Sequence, residues 1–331
     1  MVSLVIGGSG LIGRGLCERL SKSEIGVIAT TRTPGDLPAH PRVRWEVLDL
    51  STFDDWARLL KDVDTVYHLA WSTIPSIAAH DPARDILENV VGTVRMLEAS
   101  RRVPGLRIVF ASSGGSVYGA SERLPICEEH PTRPMSAYGV SKLMVEHYID
   151  KYRALYGVDG VALRISNCYG ARQNERKGLG AVTLFARAGL RNEPIKLFGN
   201  GEVVRDYVHV DDVVGALVAA GVRHNVSGPI NIGAGKGHSL NQVVAKLEAA
   251  LGRRLQIERV AARAFDVRAS VLDVRRAQER IGWRPTIGLD LGIEMILSKL
   301  RAEMDIECGS PFLSIATTRS TFTGRKATQG S

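Results

Sequence analysis

A tyrosine and a lysine four residues apart form the most reactive pair in the sequence. Tyr138 and Lys142 lie in the segment SAYGVSKLMVEHY, and this spacing puts both side chains on one face of a helix. A tyrosine, with a pKa of about 10, becomes a usable base only when a nearby cation stabilises the phenolate, and Lys142 is such a cation. The pair predicts proton transfer at a hydroxyl or carbonyl group, with a stacked surface pair as the alternative.

Three glycines near the N-terminus have the spacing of a dinucleotide-binding turn. Gly7, Gly10 and Gly13 follow the apolar run of a predicted strand and precede a predicted helix near residues 11–21. Glycines let the backbone approach a pyrophosphate, and the start of the helix supplies N–H donors for it. The motif therefore predicts a dinucleotide as the cofactor.

The ends of the second and third predicted strands bear on which dinucleotide fits. A carboxylate normally receives the adenine ribose at the end of the second strand, but this chain has Thr31 and Arg32 there. An arginine without that carboxylate accommodates a 2′-phosphate; the alternative is a surface arginine beside an NAD ribose held by hydroxyls. Asp49, followed by Leu50, either contacts the adenine or caps a helix. We predict NAD, with NADP as the alternative because of Arg32.

The pattern of elements predicts one large sheet and a smaller lobe. Short β-branched runs alternate with helical patterns in the first half of the chain, which indicates a doubly wound parallel α/β sheet of the Rossmann type. Further on, loops rich in Gly, Arg and Asn separate shorter elements, and a helix is predicted to begin at Ser239 with Gln242 completing a capping box. We expect a dinucleotide-binding domain over 1–168, a smaller α/β substrate lobe over 169–304 interleaved with it near 205–235, and a loosely attached tail over 305–331.

Composition excludes several classes of protein. The 331 residues are 44% hydrophobic, but the longest apolar runs are too short for a membrane helix, and no leader pattern opens the chain. The four cysteines form no CxxC pair, so neither a zinc site nor a disulfide framework is indicated. The net charge of +8 comes from scattered basic residues without an aromatic-basic cluster. We expect a cytoplasmic protein that binds no metal, nucleic acid or membrane.

The motifs together resemble the extended short-chain dehydrogenase/reductase superfamily, in the branch of nucleotide-sugar epimerases and dehydratases typified by UDP-glucose 4-epimerases. The resemblance covers about residues 2–300. It rests on GGSGLIG, DL at 49, VYHLAW, ENVVGT, SSGGSVYG, the Tyr138/Lys142 pair, LRISNCYGARQ, LFGNGEVVRDYVHVDD, NIGAGKGHSL and IGWRP, all in the order of the family. It implies a homodimer that acts on a nucleotide-diphosphate sugar.

The resemblance also implies individual contacts. Tyr138 and Lys142 would carry the proton chemistry and touch the cofactor. Further cofactor contacts would come from Leu11, Ile12, Leu69, Ala70, Trp71, Asn89 and Ser166. Substrate contacts would come from Ser116, Asn167, Leu197, Phe198, Arg205, Arg263 and Asp266. The arginines suit a diphosphate because a guanidinium binds it with two parallel hydrogen bonds, although Arg205 could instead pair with Asp206 or Asp211.

The turn SSGGSVYG departs from the family pattern. Counted back from VYG, the usual position of the catalytic serine or threonine holds Gly114. Ser113 is the nearest hydroxyl and is our prediction for the hydrogen-bond donor to the reacting oxygen; Ser116, or no hydroxyl at all, are the alternatives. Ser112 points to the opposite face and is expected to pack.

The family reaction that fits these residues is 4-epimerisation of a nucleotide sugar through a transient 4-keto intermediate. Family dehydratases and decarboxylases need acidic residues where this chain has Gly115 and Ser116, so both reactions are set aside. The alternative is an NADP-dependent reductase of a nucleotide-activated 4-keto-6-deoxysugar, which uses the same Tyr138 and Lys142. A catalytically silent dinucleotide-sensing protein is a third hypothesis.

Overall fold

The computed structural model describes most of the chain. The described residues are 1–23, 25–33, 35, 37, 40–173, 180–262 and 267–309. The predicted substrate contacts Arg263 and Asp266 lie outside the described residues, and so does most of the predicted tail.

Seven strands form the large sheet. They are β1 (Val2–Ile6), β2 (Gly26–Thr31), β3 (Val43–Val47), β4 (Thr65–His68), β5 (Arg107–Ser113), β6 (Asp159–Ile165) and β10 (Gly228–Ile232). All pair in parallel, in the order β10-β6-β5-β4-β1-β2-β3. The connections after β1 lead to β2 and β3 on one side, and the later connections lead to β4, β5 and β6 on the other. The strand order therefore reverses between β1 and β4, and a crevice opens beyond their carboxyl ends.

Helices cover both faces of this sheet. They are α1 (Leu11–Lys22), α2 (Trp56–Leu59), α3 (Pro75–His80), α4 (Pro82–Asp85), α5 (Gly92–Ser100), α6 (Ala137–Tyr156), α8 (Val210–Gly221) and α10 (Arg275–Ile281). A π-helical segment, Ile86–Val91, joins α4 to α5. Two cores result, one under α1 and α8 and the other under α5 and α6, and this double covering explains why the strands are apolar on both sides. The predicted doubly wound parallel fold is confirmed.

Smaller sheets and three helices make a second layer. One sheet consists of β7 (Asn167–Tyr169), β9 (Val204–His209), β11 (Gly237–Ser239) and β13 (Ala269–Ser270), and another of β8 (Ile195–Phe198) and β12 (Ile257–Val260). The helices are α7 (Ala181–Arg191), α9 (Leu240–Leu251) and α11 (Leu289–Gly309), which share a separate core with β8 and β9.

The ends of two helices test the sequence predictions. The capping box of Ser239 and Gln242 is present at the start of α9, and Gly252 ends the helix in the left-handed conformation. Helix α11 continues to Gly309, past the predicted start of the tail at residue 305. The buried face of α11, which includes Ile293, Ile296 and Leu300, anchors the helix to the core. Among the described residues, no helix is long and apolar enough to cross a membrane.

Candidate active site

A cleft of about 180 Å³ opens at the carboxyl ends of β1, β2 and β4. Ten predicted cofactor contacts line it: Gly7, Gly10, Thr31, Arg32, Asp49, Leu50, Leu69, Ala70, Trp71 and Asn89. They come together because parallel strands end at the same edge of a sheet, where doubly wound folds bind their ligands.

The glycine turn is shaped for the close approach of a ligand. A Cβ on Gly13 would lie 2.3 Å from the Gly7 carbonyl oxygen, and Gly7 itself has φ +90°, so neither position accepts a side chain. Gly10 is open, with its nearest such contact at 3.5 Å, and it begins α1 without a side-chain cap. The first-turn N–H groups, including those of Leu11 and Ile12, are thus left for an anionic ligand, and the turn fits the pyrophosphate of NAD.

The rim of the cleft carries Arg32 and Asp49. Both are exposed. Hydrogen bonds from Ser51 lower the pKa of Asp49, and the positive charge of Arg32 lowers it further. The hydroxyl of Thr31 donates to the Thr33 carbonyl at 3.1 Å. Hydroxyl, guanidinium and carboxylate groups therefore surround the position where the adenine ribose would lie.

Tyr138 and Ser113 meet at the inner end of the site. Tyr138 belongs to the first turn of α6, which Ser136 caps by accepting from the Gly139 N–H. Burial of the phenol raises the pKa of Tyr138, and Asp85 raises it further, whereas a hydrogen bond from the Ser113 hydroxyl lowers it. Of the serines in the turn, Ser113 is the one whose hydroxyl affects the pKa of this phenol.

Lys142 lies one helical turn after Tyr138 and is buried. Its Nζ donates to the Ala111 carbonyl at 2.8 Å and lies 5.7 Å from the centroid of the Tyr138 ring. Burial lowers the pKa of Lys142 to about 7, while Asp85 and Glu146 act in the opposite direction. The predicted common face of Tyr138 and Lys142 is confirmed.

Gly114, where the family resemblance predicts a hydroxyl, has no room for a side chain. A Cβ there would lie 2.5 Å from Leu272 Cδ1 and 2.9 Å from the Arg164 carbonyl oxygen. A Cβ on Gly115 would instead be 4.0 Å from Asn167 Nδ2, so Gly115 faces the opposite side of the turn, toward the predicted substrate contacts.

A buried polar network supports the turn from behind. The Ser112 hydroxyl donates to Glu146, whose carboxylate also receives Arg164 Nη2 at 2.7 Å. Arg164 Nη1 donates to the Tyr118 hydroxyl at 3.0 Å, and that hydroxyl donates to Asn231 Oδ1 at 2.6 Å. The network ties strands β5, β6 and β10 to α6, and it explains why Ser112 faces away from the site.

The side chain of Asn89 is buried and hydrogen-bonded to its own protein neighbours. It is 1% exposed, its Oδ1 accepts from the Ser72 N–H at 2.8 Å, and its Nδ2 donates to the Asp85 carbonyl at 2.9 Å. It therefore fastens the π-helical segment to the loop after β4, which carries Trp71.

The predicted substrate contacts do not all reach the surface. Asn167, Phe198 and Arg205 are partly exposed, whereas Leu197 is fully buried in the core of the second layer, which argues against direct contact with a nucleotide. Asp206 turns inward and accepts backbone N–H groups of Ala234, Gly235 and Leu272, and burial raises its pKa to about 6. Ser166 also donates to Asp206, at 3.4 Å.

The model of the NAD dependent epimerase/dehydratase family matches residues 3–233, more than half of the chain. The chain belongs to this family. The predicted family resemblance is thereby confirmed.

Relatives in the family match over nearly the whole chain. UDP-glucose 4-epimerase of Mycolicibacterium smegmatis is 36% identical over 301 residues, which cover 88% of this chain and 96% of that protein. The crystal structure of UDP-glucose 4-epimerase from Thermotoga maritima with UDP-glucose superposes with a TM-score of 0.87 at 32% identity, covering 92% of this chain and 100% of that one. The Thermus thermophilus UDP-glucose 4-epimerase complex with NAD gives a TM-score of 0.84 at 32% identity, with coverage of 91% and 99%.

Sequence reasoning missed several residues of this family member's site. Ser9, Thr30, Ser72 and Glu88 also line the cleft. Each is the sequence neighbour of a predicted residue, so the same turns and strand ends place it in the cleft. Asp85 gave no local signal, because its contact with Trp71 depends on the fold.

Proposed function

We propose that this chain is an NAD-dependent nucleotide-sugar 4-epimerase. The observation that carries the proposal is the placement of Tyr138 within 5.7 Å of the buried Lys142 Nζ, with both residues against Trp71, which lines a cleft shaped for a dinucleotide. Membership of the NAD dependent epimerase/dehydratase family supports it, as do relatives named UDP-glucose 4-epimerases.

The protein's own groups handle the proton. Tyr138 takes the proton from the 4-hydroxyl of the sugar, and the charge on Lys142 stabilises the phenolate that precedes this transfer. Ser113 donates a hydrogen bond to the reacting oxygen and stabilises the negative charge that develops there. Gly7, Gly10 and the first turn of α1 would hold NAD, which would supply hydride exchange at the same carbon when bound.

Returning the proton completes the reaction. Once the 4-keto sugar presents its other face, Tyr138 gives the proton back to the oxygen and recovers its starting state. Neither protein nor cofactor changes over the whole cycle, and the binding energy of the nucleotide handle retains the ketone between the two halves.

We assign the nucleotide-diphosphate sugar to the side of the turn that Gly115 and Asn167 face. Ser116 and Phe198 would contact the substrate there, and Arg205 would bind the diphosphate through paired hydrogen bonds. The same assignment extends to Arg263 and Asp266 as sequence predictions.

A homodimer and a cytoplasmic location complete the proposal. Val140, Tyr148 and Leu155 repeat at helical spacing on α6 and are 44%, 38% and 68% exposed, a surface that a second copy would cover. The free thiols of Cys17, Cys127 and Cys168 suit a reducing compartment. We also propose that the dinucleotide-binding domain ends at residue 168 and the substrate lobe begins at residue 169. Strand β10 of the later segment belongs to the large sheet.

The test combines cofactor content with an assay. The nucleotide in purified protein is identified by mass spectrometry, and the protein is then incubated with UDP-glucose. Bound NAD and formation of UDP-galactose without net cofactor turnover support the proposal. Protein without nucleotide that oxidises NADPH only with a 4-keto-6-deoxysugar contradicts it and favours the reductase. Tyr138→Phe, which keeps the ring, serves as the inactive control.

A further inference from the structure

A buried carboxyl group lies behind the proton-transfer pair. Asp85, the last residue of α4, has no exposed surface. Its Oδ1 accepts from the Thr73 hydroxyl, from Trp71 Nε1 at 3.3 Å and from Asn89 Nδ2 at 3.1 Å. Its Oδ2 has no hydrogen-bond partner within the described part of the chain. Burying an acidic group with an unsatisfied oxygen opposes folding, so this position needs a reason beyond packing.

Trp71 connects this carboxyl group to the lysine. Lys142 Nζ lies 3.7 Å from the centroid of the indole ring, while the ring N–H points at Asp85. A cation over an indole face is attracted by the negative charge of that face. Donation of the N–H to an anion polarises the ring and strengthens this attraction. Lysine, indole and carboxyl group therefore form one electrostatic unit.

The other charged groups near Lys142 are already engaged. Glu146, on the same helix, is ion-paired with Arg164 at 2.7 Å. His68, behind the lysine, is held neutral because burial lowers its pKa to about 3. Tyr138 is the remaining titratable neighbour. Among the described residues near Lys142, Asp85 is the acid for which no ion pair is found.

We propose that Asp85, acting through Trp71, is a positioning residue that holds Lys142 as an ammonium ion beside Tyr138. The inference rests on the proposed function, because it assigns a purpose to the catalytic pair. Burial lowers the pKa of Lys142. The negative charges of Asp85 and Glu146 oppose this lowering, and the effect of Asp85 is the larger. Burial raises the pKa of Tyr138, and the same charge on Asp85 raises it further.

The test measures Lys142 directly and needs no substrate. Competitive labelling with acetic anhydride across pH, quantified by mass spectrometry at the peptide that contains Lys142, gives the titration midpoint of this amine. Asp85→Asn removes the charge while keeping an oxygen acceptor for Trp71 and Thr73. Asp81→Asn removes an exposed carboxylate four residues earlier and is the matched control.

The proposal expects Asp85→Asn to move the Lys142 midpoint to lower pH by roughly one unit, as for the loss of a nearby opposite charge. Asp81→Asn should keep the wild-type midpoint. A folded Asp85→Asn protein with the wild-type midpoint would overturn the proposal. If Asp85→Asn does not fold, Trp71→Leu carries the test, because loss of the indole face should shift the midpoint the same way and an unchanged midpoint refutes the link.

Turnover supplies a second readout. Removing Asp85 should shift both limbs of the pH profile of kcat toward lower pH, since the pKa values of Tyr138 and Lys142 both fall. A lower kcat with an unshifted profile would mark Asp85 as merely structural and overturn the proposal. Absence of 4-epimerase activity in the wild-type protein would instead refute the proposed function, while the labelling result would still stand on its own.

Discussion

A Cβ atom on Gly114 would lie 2.5 Å from Cδ1 of Leu272. Leu272 is fully buried, and it is held in place by a bridge to Ile126 on a distant loop. This contact closes the position at which the sequence resemblance predicts a hydroxyl. The proposed role of hydrogen-bond donor in the turn therefore goes to Ser113, whose hydroxyl lowers the pKa of Tyr138.

Restoring a hydroxyl at position 114 should harm the protein. Gly114→Ser forces a side chain against Leu272 and a backbone carbonyl, so we expect a loss of about 1–3 kcal/mol in the free energy of unfolding and no gain in kcat. Urea denaturation measures the loss. In a Leu272→Ala background the cost of Gly114→Ser should be smaller, because the two side chains no longer compete. A Gly114→Ser protein as stable as the wild type and with a higher kcat would contradict the assignment of the hydroxyl role to Ser113.

Removing the Ser113 hydroxyl should slow catalysis without unfolding the protein. We expect Ser113→Ala to lower kcat about 10²-fold, the usual cost of losing one donor to a developing oxyanion. Ser116→Ala is the matched control and should cost much less. Steady-state kinetics on both variants decide between the serines. A larger loss of kcat in Ser116→Ala than in Ser113→Ala would show that Ser116 is the hydrogen-bond donor.

The buried lysine should make stability depend on pH. The folded chain holds Lys142 at a pKa of about 7, against about 10.4 in an unfolded chain. Between these values the unfolded chain binds more protons, so Lys142 makes the free energy of unfolding rise with pH. Lys142→Met should therefore show a smaller rise between pH 7 and pH 10 in urea denaturation. Lys151→Met, on the exposed face of α6, should keep the wild-type slope; a wild-type slope in Lys142→Met would contradict the burial argument.

Arg32 should distinguish the two dinucleotides. It is exposed at the rim of the cleft, where a 2′-phosphate would meet its guanidinium. Arg32→Ala should weaken NADP binding roughly tenfold, the scale of one charge-assisted contact, and leave the affinity for NAD nearly unchanged. Calorimetric titration with each dinucleotide checks this, with the exposed Arg44→Ala as control. Equal weakening of NAD and NADP binding in Arg32→Ala would show that Arg32 does not bind the 2′-phosphate.

Local patterns were sufficient to predict the framework of the site. The spacing of Tyr138 and Lys142 places them on one helical face, and the glycine turn lies between a strand and a helix, so short-range geometry fixes both. The parallel sheet followed from strands that are apolar on both sides. In each case the deciding residues are neighbours in the sequence or along one element.

Contacts between distant segments could not be predicted in the same way. Leu272 approaches Gly114 only after β13 has joined β9, and Asp85 reaches Lys142 only through Trp71 on another loop. Leu197 looked like a surface contact by position, yet it is fully buried in the core of the second layer. Such relationships join residues more than a hundred positions apart in the sequence, as for Gly114 and Leu272, or two residues that both contact a third side chain, as Asp85 and Lys142 contact Trp71.

The fate of the hydrogen at C4 of the sugar tests the central claim most directly. Purified protein is incubated with UDP-glucose deuterated at C4, without added cofactor, and the product is examined by mass spectrometry and NMR. The account predicts UDP-galactose that retains the deuterium at C4, because the hydride leaves and returns to the same carbon while Tyr138 exchanges only the hydroxyl proton. Unchanged UDP-glucose in a protein that carries bound NAD, or product with hydrogen at C4, would contradict it.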